Sequence, residues 1–262
     1  MNVGQASGLQ VPGTSGARSP DSNLVPAPPF PYQPPMTLRQ RSREPEIFDD
    51  ASRPVADVAA DYAQLARVNR VFRHADPFTR VLQRTGLPQS HPRLSFLEIG
   101  AGAGQLAADL AAWATRRGWT WTFTCLDQSP VACSLNPCAC KVIGDATQLP
   151  FPDAGFDLVI ASQMTHHLPD DRVIQHFREA WRVARRGVVV SDLHRHPFLY
   201  GLLLLSVPFL SLSPRMRRDG LLSVRRGFRT REWQDFAAQA GIPKARVEVQ
   251  FGCRIVLSAF RD

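Results

Sequence analysis

Leu97-Glu98-Ile99-Gly100-Ala101-Gly102-Ala103-Gly104-Gln105 joins an apolar strand pattern, 94–99, to a helical one, 105–117. In the second pattern Leu106, Leu110 and Trp113 share a face, and Gly118 is the stop signal. Glycines at such a turn let the backbone approach a ligand without Cβ clashes, although a tight turn also uses glycine for purely structural reasons. A dinucleotide fingerprint requires glycines at 100, 102 and 105, with pyrophosphate on the helix N-terminus. Position 105 is Gln, and Glu98 brings a carboxylate to the same place. That suits a cationic ligand better than pyrophosphate and argues against a nicotinamide oxidoreductase.

Outward from this turn, strands and helices alternate as a parallel sheet with crossover helices requires. Patterning predicts strands at 94–99, 121–126, 142–143, 156–161 and 188–190, then a closing hairpin of 246–250 and 255–260 around Gly252. A helix starting at Asp170 and Asp171 and ending at Arg185 and Arg186 places its charges as the helix dipole prefers. Thr230 is the expected N-cap of a helix burying Trp233, Phe236 and Ala240. Upstream, Val58, Tyr62, Leu65, Val68 and Phe72 form one face of a helix over 57–74, and a short helix follows at 77–83. Both precede the sheet and are placed to cover a site.

Ligands of an open parallel sheet bind beyond the carboxyl ends of its strands. Three acids are expected there. Glu98 stands beside the glycines. Asp127 ends the second strand, where a carboxylate accepts both hydroxyls of a ribose. Asp145, in Gly144-Asp145-Ala146, ends the third, where a carboxylate and the adjoining backbone bind an adenine amino group. Each acid alone is commonplace as a turn residue or helix cap; the ordered set is not.

Together Glu98-x-Gly100-x-Gly102-x-Gly104, Asp127, Asp145-Ala146 and Phe156-Asp157-Leu158-Val159-Ile160 resemble the successive motifs of class I S-adenosylmethionine (SAM)-dependent methyltransferases, over about residues 93–192. Gly144-Asp145-Ala146-Thr147-Gln148-Leu149-Pro150-Phe151 is similar to the small-molecule branch that includes ubiquinone/menaquinone biosynthesis methyltransferases. The resemblance implies an α/β fold: a Rossmann-like seven-stranded sheet with its last strand antiparallel and helices on its flanks. The two upstream helices then form an N-terminal cover. It also implies SAM as cofactor, with Glu98, Gly100, Gly102 and Gly104 at the methionine end, Asp127 at the ribose, and Asp145 with Ala146 at the adenine. Gln163 is a further cofactor-binding candidate. One departure stands out: 129–141 holds Pro130, Pro137 and three cysteines where the family has a longer helix, so the adenine pocket is expected to be built differently.

Methyl transfer from a sulfonium is an in-line displacement in which the protein mainly orients the acceptor. A phenol, enol or acidic carbon must also lose a proton. His166 and His167, just after the fourth strand, are the catalytic candidates as bases; packing under the next helix is the plain alternative. Asp192-Leu193-His194-Arg195-His196 forms a second polar cluster at the same sheet edge, a candidate lining for an acceptor pocket. No pair of these histidines has the i, i+4 spacing of a helical metal site, so no metal is expected. The segment 198–212 is strongly apolar, is broken by Gly201 and Pro208, and falls where related enzymes insert a lid. An arginine-rich run at 215–231 follows it, and an apolar segment beside a basic one has the character of an interfacial surface. The expected acceptor is therefore a small apolar molecule such as a quinol, phenol or polyketide-like ring, with peripheral membrane contact through 198–218.

Composition narrows the alternatives. The 262 residues carry a formal charge of +8, which an RNA methyltransferase would use on phosphates. Nucleobase amino-methylating relatives, however, carry an Asn/Asp-Pro-Pro-aromatic loop where this chain has Gln163-Met164-Thr165-His166. Nucleic acid is thus disfavoured as a partner. A non-catalytic module of the same fold predicts a degraded cofactor motif, and this one is intact. No window reaches the roughly 18–20 apolar residues of a spanning helix. Five cysteines, an odd number without a secretory signal pattern ahead of them, point to a reducing cytoplasm. Nine of the 22 prolines fall in the first 45 residues, among glycine and serine. Residues 1–45 are therefore expected to be a disordered tail and 46–262 the methyltransferase domain, with Met36 as an alternative start. Nothing in the sequence addresses oligomeric state.

Overall fold

The computed structural model describes residues 38–50 and 52–261, so Met36 and most of the expected tail lie outside the described residues. Seven strands form one sheet in the order β3-β2-β1-β4-β5-β7-β6. They are β1 (Arg93–Ile99), β2 (Thr120–Asp127), β3 (Cys140–Ile143), β4 (Phe156–Ser162), β5 (Ala184–Leu193), β6 (Arg246–Gln250) and β7 (Arg254–Phe260). The first five pair in parallel, and β7 lies antiparallel between β5 and β6. Helices α1 (Val55–Val71), α2 (Asp76–Thr85) and the single-turn α3 (Leu87–Ser90) precede the sheet. Two crossover helices follow, α4 (Gln105–Thr115) and the short α5 (Pro130–Leu135). The second half contributes α6 (Asp170–Val183), α7 (Pro197–Ser206), α8 (Pro214–Arg226) and α9 (Thr230–Gln239). This is the expected Rossmann-like sheet with flanking helices.

Strand β4 shows why these segments read as continuous apolar runs. Leu158 and Ile160 face one layer, with Phe78, Leu106 and Leu110; Val159 and Ala161 face the other, with Phe177 and Trp233. A parallel strand covered on both faces needs apolar side chains at every position. Trp233 is fully buried and meets Phe177 edge-on, with ring centroids 5.5 Å apart. Packing across β5 and β7 is equally tight. A Cβ on Gly187 would lie 2.6 Å from the Ala259 carbonyl oxygen and 2.5 Å from the Phe260 ring. Gly187→Ala is therefore expected to lower stability by about 1–3 kcal/mol in urea titrations, because the two strands must separate to admit the methyl group.

Three local expectations need correction. Arg185 and Arg186 belong to β5, not to the preceding helix. Asp157 draws both into the strand, accepting from Arg185 Nη1 at 3.2 Å and Arg186 Nε at 3.1 Å, where the β4–β5 register shifts. Thr230 is the first residue of α9 rather than its cap, and Glu232 accepts from the Arg229 amide at 2.8 Å. Residues 38–45, assigned to the tail, lie on the domain. The Ser42 amide donates to the Arg225 carbonyl at 3.0 Å, and Arg41 donates to the carbonyls of His166 and Leu168 at 3.0 and 2.8 Å. Helix ends and turns leave such carbonyls without intrahelical donors. Among the described residues, no helix is long and apolar enough to cross a membrane.

Candidate active site

The turn between β1 and α4 carries Gly100, Gly102 and Gly104 at φ values of 66°, 52° and 77°. Side chains disfavour this left-handed region, so three glycines within five residues fix the shape of the loop. The loop is also closely surrounded. A Cβ at 100 would meet Met164 at 2.6 Å, one at 102 the Tyr62 ring at 3.0 Å, and one at 104 Asn136 Oδ1 at 2.2 Å. Tyr62 comes from α1, which confirms that an upstream helix lies over the glycine turn. Burial and the neighbouring Asp127 carboxylate push the Tyr62 hydroxyl up, keeping it protonated.

The three acids differ in what they do. Asp127 ends β2, and its Oδ2 accepts from the Gly102 amide at 2.8 Å and its Oδ1 from Ser129 at 2.9 Å. Burial raises its pKa although these amides favour the charged form. Asp145 is half-exposed; it accepts from the Thr147 amide and hydroxyl, both at 2.8 Å, and from Arg172 at 2.5 Å. The Ala146 carbonyl faces the ring of His176 at 3.2 Å. Glu98 is the most deeply buried of the three. It is 3% exposed, its Oε2 accepts from the Ala107 amide in the first turn of α4 at 3.1 Å, and burial raises its pKa to about 8. The arrangement still fits SAM. A cradle of positive-φ glycines, a carboxylate at the end of β2 and another at the end of β3 are the donor and acceptor set that a methionine, a ribose and an adenine require.

His166 and His167 are drawn elsewhere. His166 is buried, with Nδ1 2.7 Å from Asp192 Oδ1 and Nε2 3.5 Å from Glu46 Oε1, while its amide donates to Asp192 Oδ2 at 2.9 Å. Burial alone would lower its pKa, but Asp192 and Glu46 more than offset it and raise the imidazole to about 10. These two carboxylates favour the imidazolium and engage both ring nitrogens of His166, the candidate base, in an ion-pair network. His167 lies with Nδ1 2.6 Å from Asp49 Oδ1. Arg226 closes the network, donating to the carbonyls of His166 and His167 at 3.2 Å each and to Asp49 at 2.5 Å. Glu46, His166 and His167 bring potential metal-ligand atoms within 4.8 Å of one another. Arg226 Nε, 3.4 Å from Glu46 Oε1, fills that corner with positive charge, so the group is an ion-pair network. Part of the arginine run is turned inward: Arg226 is buried, Arg225 pairs with Glu44 and Arg215 with Asp61, each pair at 3.1 Å, while Arg217, Arg218, Arg229 and Arg231 stay exposed.

An apolar pocket of about 80 Å³ lies beside the loop after β4. Leu65 and Val68 of α1, Phe72 just after it, Leu199 and Leu203 of α7 and Met216 of α8 line it. Its polar lining includes Gln163 and Arg254, whereas neither His166 nor His167 is among its lining residues. Gln163, expected at the cofactor, has φ 53° and donates through Nε2 to Asn69 of α1 at 2.8 Å. Its side chain therefore serves the apolar pocket and ties the cover helix to β4. From the polar cluster after β5, Leu193 reaches the pocket, while Asp192 is held by His166 and Arg195 by Glu232 at 2.6 Å. Sequence patterning misses Tyr62, Asn69, Glu46 and Arg254, which come from segments far apart in the chain. The one hint for Arg254 is a cation at the head of an otherwise apolar strand.

Residues 97–191 match the family described as a methyltransferase domain. The chain is 34% identical over 110 residues to the demethylmenaquinone methyltransferase of Roseiflexus sp. (strain RS-1), and 33% identical over the same length to that of Roseiflexus castenholzii. Each alignment covers 39% of this chain, which spans 45% of the length of these curated relatives. A SAM-dependent methyltransferase from Aquifex aeolicus superposes with a TM-score of 0.55 at 16% identity, covering 80% of this chain and 99% of that one. A Thermotoga maritima structure described as a SAM-dependent methyltransferase, possible histamine N-methyltransferase, gives 0.50 at 18% identity, covering 77% and 100%. At such identities these structures report the shared fold.

Proposed function

We propose that this chain, which carries a class I SAM-dependent methyltransferase domain over residues 97–191, transfers a methyl group to a small, largely apolar acceptor. The observation that carries the proposal is the apolar pocket between α1, α7 and α8, which meets the loop after β4 at Gln163, beside the glycine turn. When bound, the cofactor supplies a sulfonium methyl whose carbon takes an electron pair from the acceptor while the C–S pair returns to sulfur. Asp127 would accept the ribose hydroxyls, Asp145 would exchange Arg172 for the adenine amino group, and the glycine loop would hold the methionine end. Exchange at Asp145 is inexpensive, because a half-exposed ion pair contributes little. The leucine and methionine wall orients the acceptor and keeps water away from the transfer.

At about 80 Å³ the pocket is smaller than the ~150 Å³ cavity that holds benzene. Entry of a ring therefore displaces α7. The outer face of that region supports an apolar route to the pocket: Phe198, Leu204 and Leu205 are exposed, and Phe209 is 87% exposed. Peripheral contact of this face with a membrane is part of the proposal. S-adenosylhomocysteine, the product cofactor, tests the reading. At about 100 times its dissociation constant it should add ~2.7 kcal/mol, raising the melting temperature by roughly 5–10 °C for a domain of this size. A folded sample whose melting point does not move would overturn it.

A further inference from the structure

Arg254 opens β7 and forms part of the wall of the apolar pocket, yet it is only 5% exposed. Its Nη1 is buried without a hydrogen-bond partner. The carboxylate whose charge it feels, Asp192, has both oxygens engaged: Oδ1 with the His166 ring and the Leu193 amide, Oδ2 with the His166 amide. Two other titratable groups sense Arg254: His74, held by Asp109 at 3.0 Å, and the neighbouring Cys253, whose thiol is pushed up by burial and stays neutral. A guanidinium is a fork of five donors matched to carboxylates and other oxyanions. Burying one without a counter-ion is costly, and here it lines an apolar pocket together with Gln163.

We propose that Arg254 anchors an anionic oxygen of the methyl acceptor, so that the acceptor is an apolar ring bearing a carboxylate or an acidic phenol or enol. This rests on the methyl-transfer reading of the same site. Partition of the acceptor follows from the lining: the ring lies against Leu65, Val68, Leu199 and Leu203, and the oxygen meets the guanidinium. A neutral hydrocarbon would leave Arg254 unpaired, so the site selects against it.

The test is calorimetric titration of the full chain, saturated with S-adenosylhomocysteine at pH 8, using two matched pairs of probes. 2-Naphthoate against 2-naphthamide reports carboxylate recognition; 4-nitrophenolate against 4-nitroanisole reports an acidic phenol. At least one anion should bind about 10- to 100-fold more tightly than its neutral partner, as expected for hydrogen bonds to a charged group. Arg254→Met should bring the pair to within about twofold, and Arg254→Lys should retain part of the preference. In both variants the melting-point rise with S-adenosylhomocysteine should be unchanged. Equal or absent binding of anion and neutral probe by the wild-type chain would overturn the proposal without any variant. So would a preference that survives Arg254→Met, or a variant that loses the S-adenosylhomocysteine response, since Arg254 would then serve the cofactor. Absence of that response in the wild type is a separate failure, of the methyl-transfer reading itself.

Discussion

Replacing His166 by glutamine is expected to lower the unfolding free energy by about 3–5 kcal/mol, because it leaves the fully buried Asp192 carboxylate without its paired cation. At 2–4 °C per kcal/mol, that is a fall of roughly 10 °C in melting temperature. Asp192 is fully buried and Glu46 nearly so, and each is held below the usual carboxylate range against a burial penalty, chiefly by His166. The same residue sets a pH dependence. Its folded pKa of about 10 lies above the ~6.5 of an unfolded histidine. Its contribution is therefore complete below about pH 6.5 and is lost as pH rises towards 10. Wild-type stability in urea should fall between pH 7 and 10, and His166→Gln should flatten that slope. Glu98 acts earlier: its pKa is raised from 4.5 to about 8, so its contribution declines between those values, and Glu98→Gln removes that part alone. Equal slopes for wild type and His166→Gln above pH 8 would show that His166 is not the imidazolium described.

Asp127→Ala is expected to weaken S-adenosylhomocysteine binding by about 100-fold, the equivalent of two hydrogen bonds to a charged group. At a ligand concentration that saturates the wild type 100-fold, the variant would be half-occupied. Its stabilisation then shrinks to ~0.4 kcal/mol, a rise of about 1 °C. The carboxylate also holds the amides of Gly102 and Ser129, so alanine loosens the glycine turn as well. Asp127→Asn separates the two effects, because an amide oxygen can still accept from Gly102. A variant with the full wild-type rise would show that the end of β2 does not hold the ribose.

Much of the fold is legible in the sequence for a physical reason. Strands such as β4 are buried on both faces and so read as unbroken apolar runs, and the glycine turn declares itself because three left-handed positions tolerate little else. Arg185 and Arg186 mislead because a basic pair suits a helix C-terminus as well as a strand, and only the distant Asp157 decides between them. Asp127 and Asp145 are found where strand ends put them. Glu98 and His166 are identified as important, but their chemistry is not legible, since it depends on burial. Burial and the Ala107 amide set the environment of Glu98, and Asp192 and Glu46 that of His166. Arg254 is the clearest omission. Its pocket partners are contributed by α1 and α7, up to 189 positions away in the chain, and its only local mark is a cation at the head of a mostly apolar strand.

The position of β7 bears on how the chain reaches this state during synthesis. Among the described strands it is the last to emerge, yet it sits inside the sheet, between β5 and β6. Until then Val188, Val189 and Val190 offer an apolar edge with open backbone donors and acceptors, which is the surface on which nascent chains pair wrongly with one another. Arg254 arrives with that same strand, so the final pairing that seals the ribosome-borne intermediate also delivers the charge at the pocket wall. A chain released before residue 254 would lack that charge and leave the β5 edge open, so it would be prone to aggregate and a natural target for chaperones and proteases.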